Sequence, residues 1–328
     1  MTNSNGALMN PIAVQDAGIL AKLAAYSKTA EGALAPATMR AIRQDTAKFG
    51  EFCRGLGAAQ LPATPDTVAL FVKAMGERHA PKSVKRYIGS IAVTHRAAGL
   101  TNPCADDAVR FALKRLYREK GVRSKQASAL NRPEVQRMID ANAGDPAAPT
   151  WAHLARDRAL VAVAYDTLAR RSELAGLDVD ALQFSQGGSG SVLIKRSKTD
   201  GIGEGSIRFM ARDTCEYVRA WIAAAKIEDG ALFRSVDMHG HVGADNLDPG
   251  SIGRILKRMA ARVGIDGGAS GHSTRVGACQ DLIAEGMDLA GVMNAGGWKR
   301  PDMPALYAER LLARRGAMAR LAEKQGRL

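Results

Sequence analysis

Apolar positions in the first 120 residues recur at helical spacing, and no strand alternation interrupts them. Residues 38–55 place Met39, Ile42, Phe49, Phe52 and Cys53 on one stripe. Residues 65–77 open with Pro-Asp-Thr, a helix-start signal, and continue into an apolar face. Residues 83–98 turn Val84, Tyr87, Ile88 and Ile91 to one side, and residues 105–119 form a further helix ending in basic side chains. The pattern predicts a helical bundle over 19–120, with residues 1–18 as a disordered tail.

A change follows at 121–130, where the basic stretch around Gly121 predicts a linker. Asn131, Pro133 and Glu134 then supply an N-cap, a first-turn proline and a capping-box acid, opening a second domain over 131–328. Residues 153–169 predict a helix whose apolar run to Leu168 marks it as buried. Residues 182–212 alternate short β-rich runs with glycine turns, predicting about three antiparallel strands. Helical spacing returns at 212–226, 251–263, 274–286, 288–294 and 303–323, so 313–328 falls in a closing tail helix. The fold class is mainly α: an N-terminal helical bundle and a C-terminal α+β domain with a small antiparallel sheet.

Composition narrows the function. The 328 residues carry a net charge of +13, which favours a polyanionic partner. Residues 1–125 hold 19 Lys and Arg against 9 Asp and Glu, whereas residues 126–328 hold 27 against 24, so the first part carries most of the attraction. No apolar run approaches the length of about 18 residues needed to span a bilayer, and no secretory leader pattern is visible. The four cysteines lack metal or CxxC spacing and read as reduced thiols, which places the protein in the cytoplasm. His239 and His241 have no third ligand nearby in sequence, so no metal site is expected there.

The chemistry gathers near the C-terminus. His272 and Arg275 lie three apart at a helix start, followed by Trp298 and, nine residues on, Tyr307. This set lacks the acidic cluster of a metal site for phosphate chemistry. It has a nucleophilic oxygen, fixed positive charge and hydrogen-bond donors, as metal-free attack on a phosphodiester needs. Guanidinium forks suit the nonbridging oxygens best. Arg275 is one; the other is Arg170 or Arg171, which follow the buried helix, with Glu173 spaced to orient Arg170. Lys198, in a turn between two strands, is placed to protonate a leaving oxygen.

In this order and spacing the residues resemble the tyrosine site-specific recombinases, and the similarity runs from about Thr38 to the end, through AYDTLARRSE, RSKT, SGHSTRVGA and VMNAGGW. The resemblance implies Arg170, Glu173, Lys198, His272, Arg275 and Trp298 as catalytic residues, with Trp where the family more often has His, and Tyr307 as nucleophile. It implies a 3′-phosphotyrosine intermediate and a Holliday junction, with no ATP, metal or other cofactor. The implied partners are double-stranded DNA with inverted-repeat target sites and a homotetramer on two such sites, with no membrane or small-molecule substrate. The first domain is then a SAM-like core-binding domain.

The same resemblance lays the first domain's helices on the major groove, making Arg40, Arg43, Lys48, Lys82, Lys85 and Arg86 candidate DNA contacts. Arg123 and Lys125 in the linker, and Arg254, Lys257 and Arg258 in the second domain, join them. Base-reading positions of similar proteins fall here on Gly250 and Gly253, so a different target sequence is expected. The tail helix is expected to dock on a neighbouring protomer. Two competing classes share parts of this pattern. A type IB topoisomerase uses the same nucleophile as a swivelling monomer, and a non-catalytic DNA-binding relative would lack the intact set.

Overall fold

The computed structural model describes residues 16–123, 126–141, 150–195, 203–265 and 268–327. The chain divides into two compact units, Met1–Ser124 and Lys125–Leu328.

The first unit contains α1 (Ala17–Ala30), α2 (Pro36–Leu56), α3 (Pro65–Arg78), α4 (Pro81–Ala97) and α5 (Asp107–Lys120). Proline opens α2, α3 and α4, where its missing N–H costs nothing. Thr64 caps α3 by accepting from the Thr67 backbone N–H at 3.2 Å. The apolar faces meet at Phe71, whose ring is edge-on to Phe49 at 5.1 Å and to Phe52 at 5.3 Å, with Val68, Val84 and Val109 fully enclosed. Phe71→Ala would cost about 3–5 kcal/mol by transfer and cavity terms. Buried Asp45 on α2 accepts from Arg86 and Ser90 on α4, each at 2.8 Å, and so cross-links the two helices. The first helix begins at Ala17, inside the stretch expected as tail, because Asp16 caps it by accepting from Gly18 N–H at 2.7 Å.

The second unit is built around α7 (Trp151–Asp166), whose residues Ala159–Ala164 are buried on every side. It packs most extensively on α9 (Arg212–Ala225), where the enclosed Trp221 donates to the Leu232 carbonyl at 2.7 Å. Before α9 comes an antiparallel sheet of β1 (Leu182–Phe184), β2 (Gly190–Ile194) and β3 (Ser206–Met210), in register Leu182↔Val192 and Val192↔Arg208. The expected three strands are present. A second hairpin, β4 (Arg234–Val236) with β5 (Val242–Asn246), was not expected. Its tip carries His239 and His241, and His241 Nδ1 pairs with Asp237 at 2.8 Å. The remaining helices are α6 (Arg132–Ala141), α8 (Arg171–Ala175), α10 (Pro249–Arg262), α11 (Ser273–Ala284), α12 (Leu289–Gly296), α13 (Asp302–Arg315) and α14 (Ala317–Lys324).

Three boundaries depart from the sequence reading. The helix expected over 153–169 stops at Asp166, because Leu168 adopts φ 50 and turns the chain. The single helix expected over 303–323 is broken at Gly316, whose extended backbone separates α13 from α14; glycine is a weak helix former. The expected linker 121–130 is in part integral to the second unit. Ser128 N–H donates to the Gly268 carbonyl and Leu130 N–H to that of Ser273, both at 3.0 Å, and Leu130 is fully buried. None of the described helices is long and apolar enough to cross a membrane.

Candidate active site

The buried α7 delivers the chain to Leu168, a non-glycine residue in left-handed backbone, at a cost of roughly 1–3 kcal/mol. That turn aims the Leu168 carbonyl at Arg275 Nη1, which donates to it. Two residues on, Arg170 is the N-cap of α8. Glu173 Oε2 accepts from the Arg170 backbone N–H at 2.8 Å, and Oε1 from its Nη1 at 2.5 Å. One carboxylate thus caps the helix and aims the guanidinium. Arg171 runs the other way. A Cβ at Gly271 would lie 1.9 Å from its Cδ, and one at Gly253 would lie 3.1 Å from its Nη1. Both glycines therefore leave room for Arg171.

Arg275, in the first turn of α11, is only 2% exposed. Its Nη2 donates to the Gly296 carbonyl at 2.7 Å, and its guanidinium lies over the Trp298 ring, 4.2 Å from the centroid. The two carbonyls take two of its five N–H donors. Burial, and then the Arg170 charge, lower its pKa to about 10, opposed by Glu173 and Tyr307. It is charged at neutral pH. His272 occupies the N-cap position of α11 and is exposed, its backbone N–H donating to Ser270 Oγ at 3.2 Å. Desolvation, followed by the Arg171, Arg275 and Arg170 charges, lowers its pKa below 6.5, opposed by Glu173, which favours the neutral imidazole at pH 7.

Helix α12 ends in a Schellman turn. Gly297 takes φ 61, and Trp298 N–H returns to the Met293 carbonyl at 2.9 Å. This folds the Trp298 ring back over Gly296, where a Cβ would lie 1.9 Å from the ring. Trp298 is 8% exposed and meets the half-buried Tyr307 edge-on, with centroids 6.0 Å apart. The Tyr307 carbonyl accepts from Gln280 Nε2 at 2.9 Å and Gln126 Nε2 at 3.3 Å, which seats α13 against α11 and the segment before α6. Asp281 on α11 accepts from Tyr165 OH at 2.5 Å, Asn131 Nδ2 at 2.6 Å and Arg132 N–H at 2.9 Å, fixing the helix that carries Arg275.

Arg170 and Glu173 are thus brought to His272, Arg275, Trp298 and Tyr307 from about a hundred residues away in sequence. Lys198 lies outside the described residues. One further residue was not anticipated. Arg208 on β3 is 7% exposed, and its Nη1 donates to the carbonyls of Asn294 and Ala295. Burial lowers its pKa, with Glu173 opposing and Arg170 reinforcing, so it shares the electrostatic environment of the predicted set. The sequence signal was inverted. Ile207 and Phe209, which alternation would send inward, are 71% and 63% exposed, and the arginine between them faces in.

Among the candidate DNA contacts, Arg40, Lys82, Lys85, Arg123, Arg254 and Lys257 are exposed, and Lys48 is half-buried. Arg43 is also partly buried. Arg86 is held by buried Asp45, and Arg258 pairs with the fully buried Asp157, so both guanidiniums also neutralise interior carboxylates. Arg254 Nη2 donates to Ser251 Oγ at 2.7 Å. Lys125 lies outside the described residues.

Residues 128–313 match the family described as the phage integrase family. The recombinase Cre of Escherichia phage P1 is 28% identical over 296 residues, covering 84% of each chain. An integrase/recombinase XerD homolog of Selenomonas ruminantium is 26% identical over 282 residues, covering 83% of this chain and 81% of the relative. Among solved structures, the XerH site-specific recombinase bound to a palindromic difH substrate superposes with a TM-score of 0.64 at 14% identity, covering 93% of this chain and 90% of that one. A lambda integrase dimer bound to a COC′ core site gives 0.58 at 17% identity, covering 88% and 94%.

Proposed function

Since this chain belongs to the phage integrase family and is a site-specific tyrosine recombinase, we propose that it cuts and rejoins DNA by making Tyr307 a covalent carrier of the broken strand. The Tyr307 oxygen bonds to the scissile phosphorus and gives a 3′-phosphotyrosine. The 5′ oxygen leaves with its bonding electron pair and takes a proton from Lys198. The neutral state of His272 leaves a ring nitrogen able to accept the phenolic proton or to donate to the phosphate. Arg170, aimed by Glu173, and Arg275, fixed on two carbonyls, supply immobile positive charge to the phosphoryl oxygens, where it is needed most in the transition state. Trp298 donates its indole N–H to the same oxygens and walls the site beside Arg275. A 5′-hydroxyl from a partner strand reverses the step. Bond energy stays in the phosphotyrosine, so ligation needs no cofactor.

The observation that carries this reading is the stack in which the buried Arg275 guanidinium lies on Trp298, and Trp298 meets Tyr307 edge-on. It puts a nucleophile beside charge that is already immobilised. At the level of assembly, four protomers on two inverted-repeat sites would exchange strands in two rounds through a Holliday junction. Two features support this. A protein of similar fold was captured on a palindromic substrate. Helix α14 buries none of its residues, leaving Met318 and Leu321 exposed for a neighbouring protomer. Tyr307→Phe tests the chemistry: duplex binding persists while the covalent adduct disappears. An undiminished adduct would remove Tyr307 from its role.

A further inference from the structure

Helix α12 ends with its last three carbonyls pointing at two arginines. Arg208 Nη1 donates to Asn294 and Ala295, and Arg275 Nη2 donates to Gly296. A helix C-terminus carries orphan carbonyls and partial negative charge, so guanidiniums suit it. Arg208 is nevertheless an expensive choice of cap. It is enclosed, and its Nε–H is buried with no partner among the described residues. A buried charge with an unsatisfied donor is weak support for stability. The contact instead fixes geometry. Gly297 follows at φ 61, and a Cβ there would lie 2.0 Å from Arg208 Nη2, so the turn and the guanidinium are fitted to each other. Immediately beyond come Trp298, under Arg275, and then the helix bearing Tyr307.

We propose that Arg208 is a positioning residue for strand cleavage: it locks the α12 terminus to β3 and so keeps Trp298, Arg275 and Tyr307 in register. The inference rests on the phosphotyrosine reading above. It acts on the nucleophile side of the reaction, not on the proton that the leaving oxygen receives.

The test uses the full chain and a duplex recovered by sequencing the DNA it retains from a randomised pool. Single-turnover adduct formation is followed on the ordinary phosphodiester and on a 5′-bridging phosphorothiolate, whose sulfur leaves without needing a proton. R208M should bind the duplex within twofold of wild type yet form adduct about 100-fold more slowly on both substrates, the loss expected for misplacement on the order of 1 Å. R208K, which keeps a charge able to reach one carbonyl, should recover part of the rate. G297A should show the same defect, and the double variant R208M/G297A should be no slower than the worse single, since both break one contact. K198A, by contrast, should be rescued by sulfur. An unchanged R208M rate, rescue of R208M by sulfur, or a loss that merely follows weakened binding each overturns the inference. If R208M fails to fold, G297A and R208K decide the question alone. A wild-type protein that binds but forms no adduct overturns the phosphotyrosine reading itself.

Discussion

Cations are held in two ways in this molecule, and the contrast is sharpest between the exposed side chains of the first unit and two buried arginines of the second. In the first unit Arg40, Lys82 and Lys85 project from α2 and α4 into solvent, where the charge is cheap to hold and easily screened. In the second unit Arg275 and Arg208 are withdrawn from water and pinned on backbone carbonyls. Exposed lysines suit a phosphate backbone of any sequence: they add affinity and respond to salt. A guanidinium fixed on backbone carbonyls is held in one place before any ligand arrives, which suits preorganised electrostatics better than affinity. Arg86 and Arg258 stand between these cases, since each faces the surface yet neutralises a buried aspartate.

The division can be broken experimentally. Arg275→Lys should give the largest effect, because one ammonium cannot hold the Leu168 and Gly296 carbonyls together and also present a fork. The adduct rate should fall by about 100- to 1,000-fold, as for loss of a preorganised donor, with duplex affinity nearly unchanged. Equal losses in rate and affinity would erase the distinction. Deleting residues 313–328 should come next, reducing the pairing of two sites far more than the occupancy of one, as measured by gel shift. If both fall together, α14 serves only its own unit. Lys82→Ala and Lys85→Ala should each lower the slope of log affinity against log salt by about 1, with no change in cleavage rate once bound.

The smallest effect concerns pH and the first unit. His95 is buried, accepts from Ala63 N–H at Nε2 (3.0 Å) and donates from Nδ1 to the Ile91 carbonyl (2.9 Å), an arrangement open only to the neutral ring. Burial lowers its pKa from 6.5, partly offset by the Ile91 carbonyl. A depressed value in the folded state means the unfolded chain binds the proton more tightly. The stabilisation is therefore fully present above pH 6.5 and is lost as the pH falls through the lower folded-state value. Urea unfolding of the protein at pH 7.5 and 5 should show this decline, and His95→Gln should flatten it.

Much of the architecture was legible because local signals agreed with the fold. Pro65 and Thr64 mark the start of α3, and the glycine turns separate the three strands. That Arg170, Glu173, His272, Arg275, Trp298 and Tyr307 come together in the fold was legible because their types and order match a chemistry that few other arrangements need. What escaped the sequence was decided by tertiary contacts. Leu168 enters left-handed backbone only because the fold holds it there, and no local propensity announces that. Arg208 was hidden because β3 turns Ile207 and Phe209 outward and sends the arginine inward beside Met210, against the usual sorting of apolar and charged positions. The segment 126–130 read as linker, since its burial comes from carbonyls of residues 268 and 273, far along the chain.

One covalent bond, between Tyr307 and a DNA 3′ phosphate, decides the proposed mechanism. Protein freed of divalent ions by EDTA, incubated with a duplex carrying its selected site and then digested, can be searched by mass spectrometry for the peptide containing Tyr307. This peptide should carry a nucleotide joined through the 3′ phosphate, and the Tyr307→Phe protein should carry none. A duplex that is cut and rejoined while Tyr307 stays unmodified, or an adduct on another residue, would contradict it.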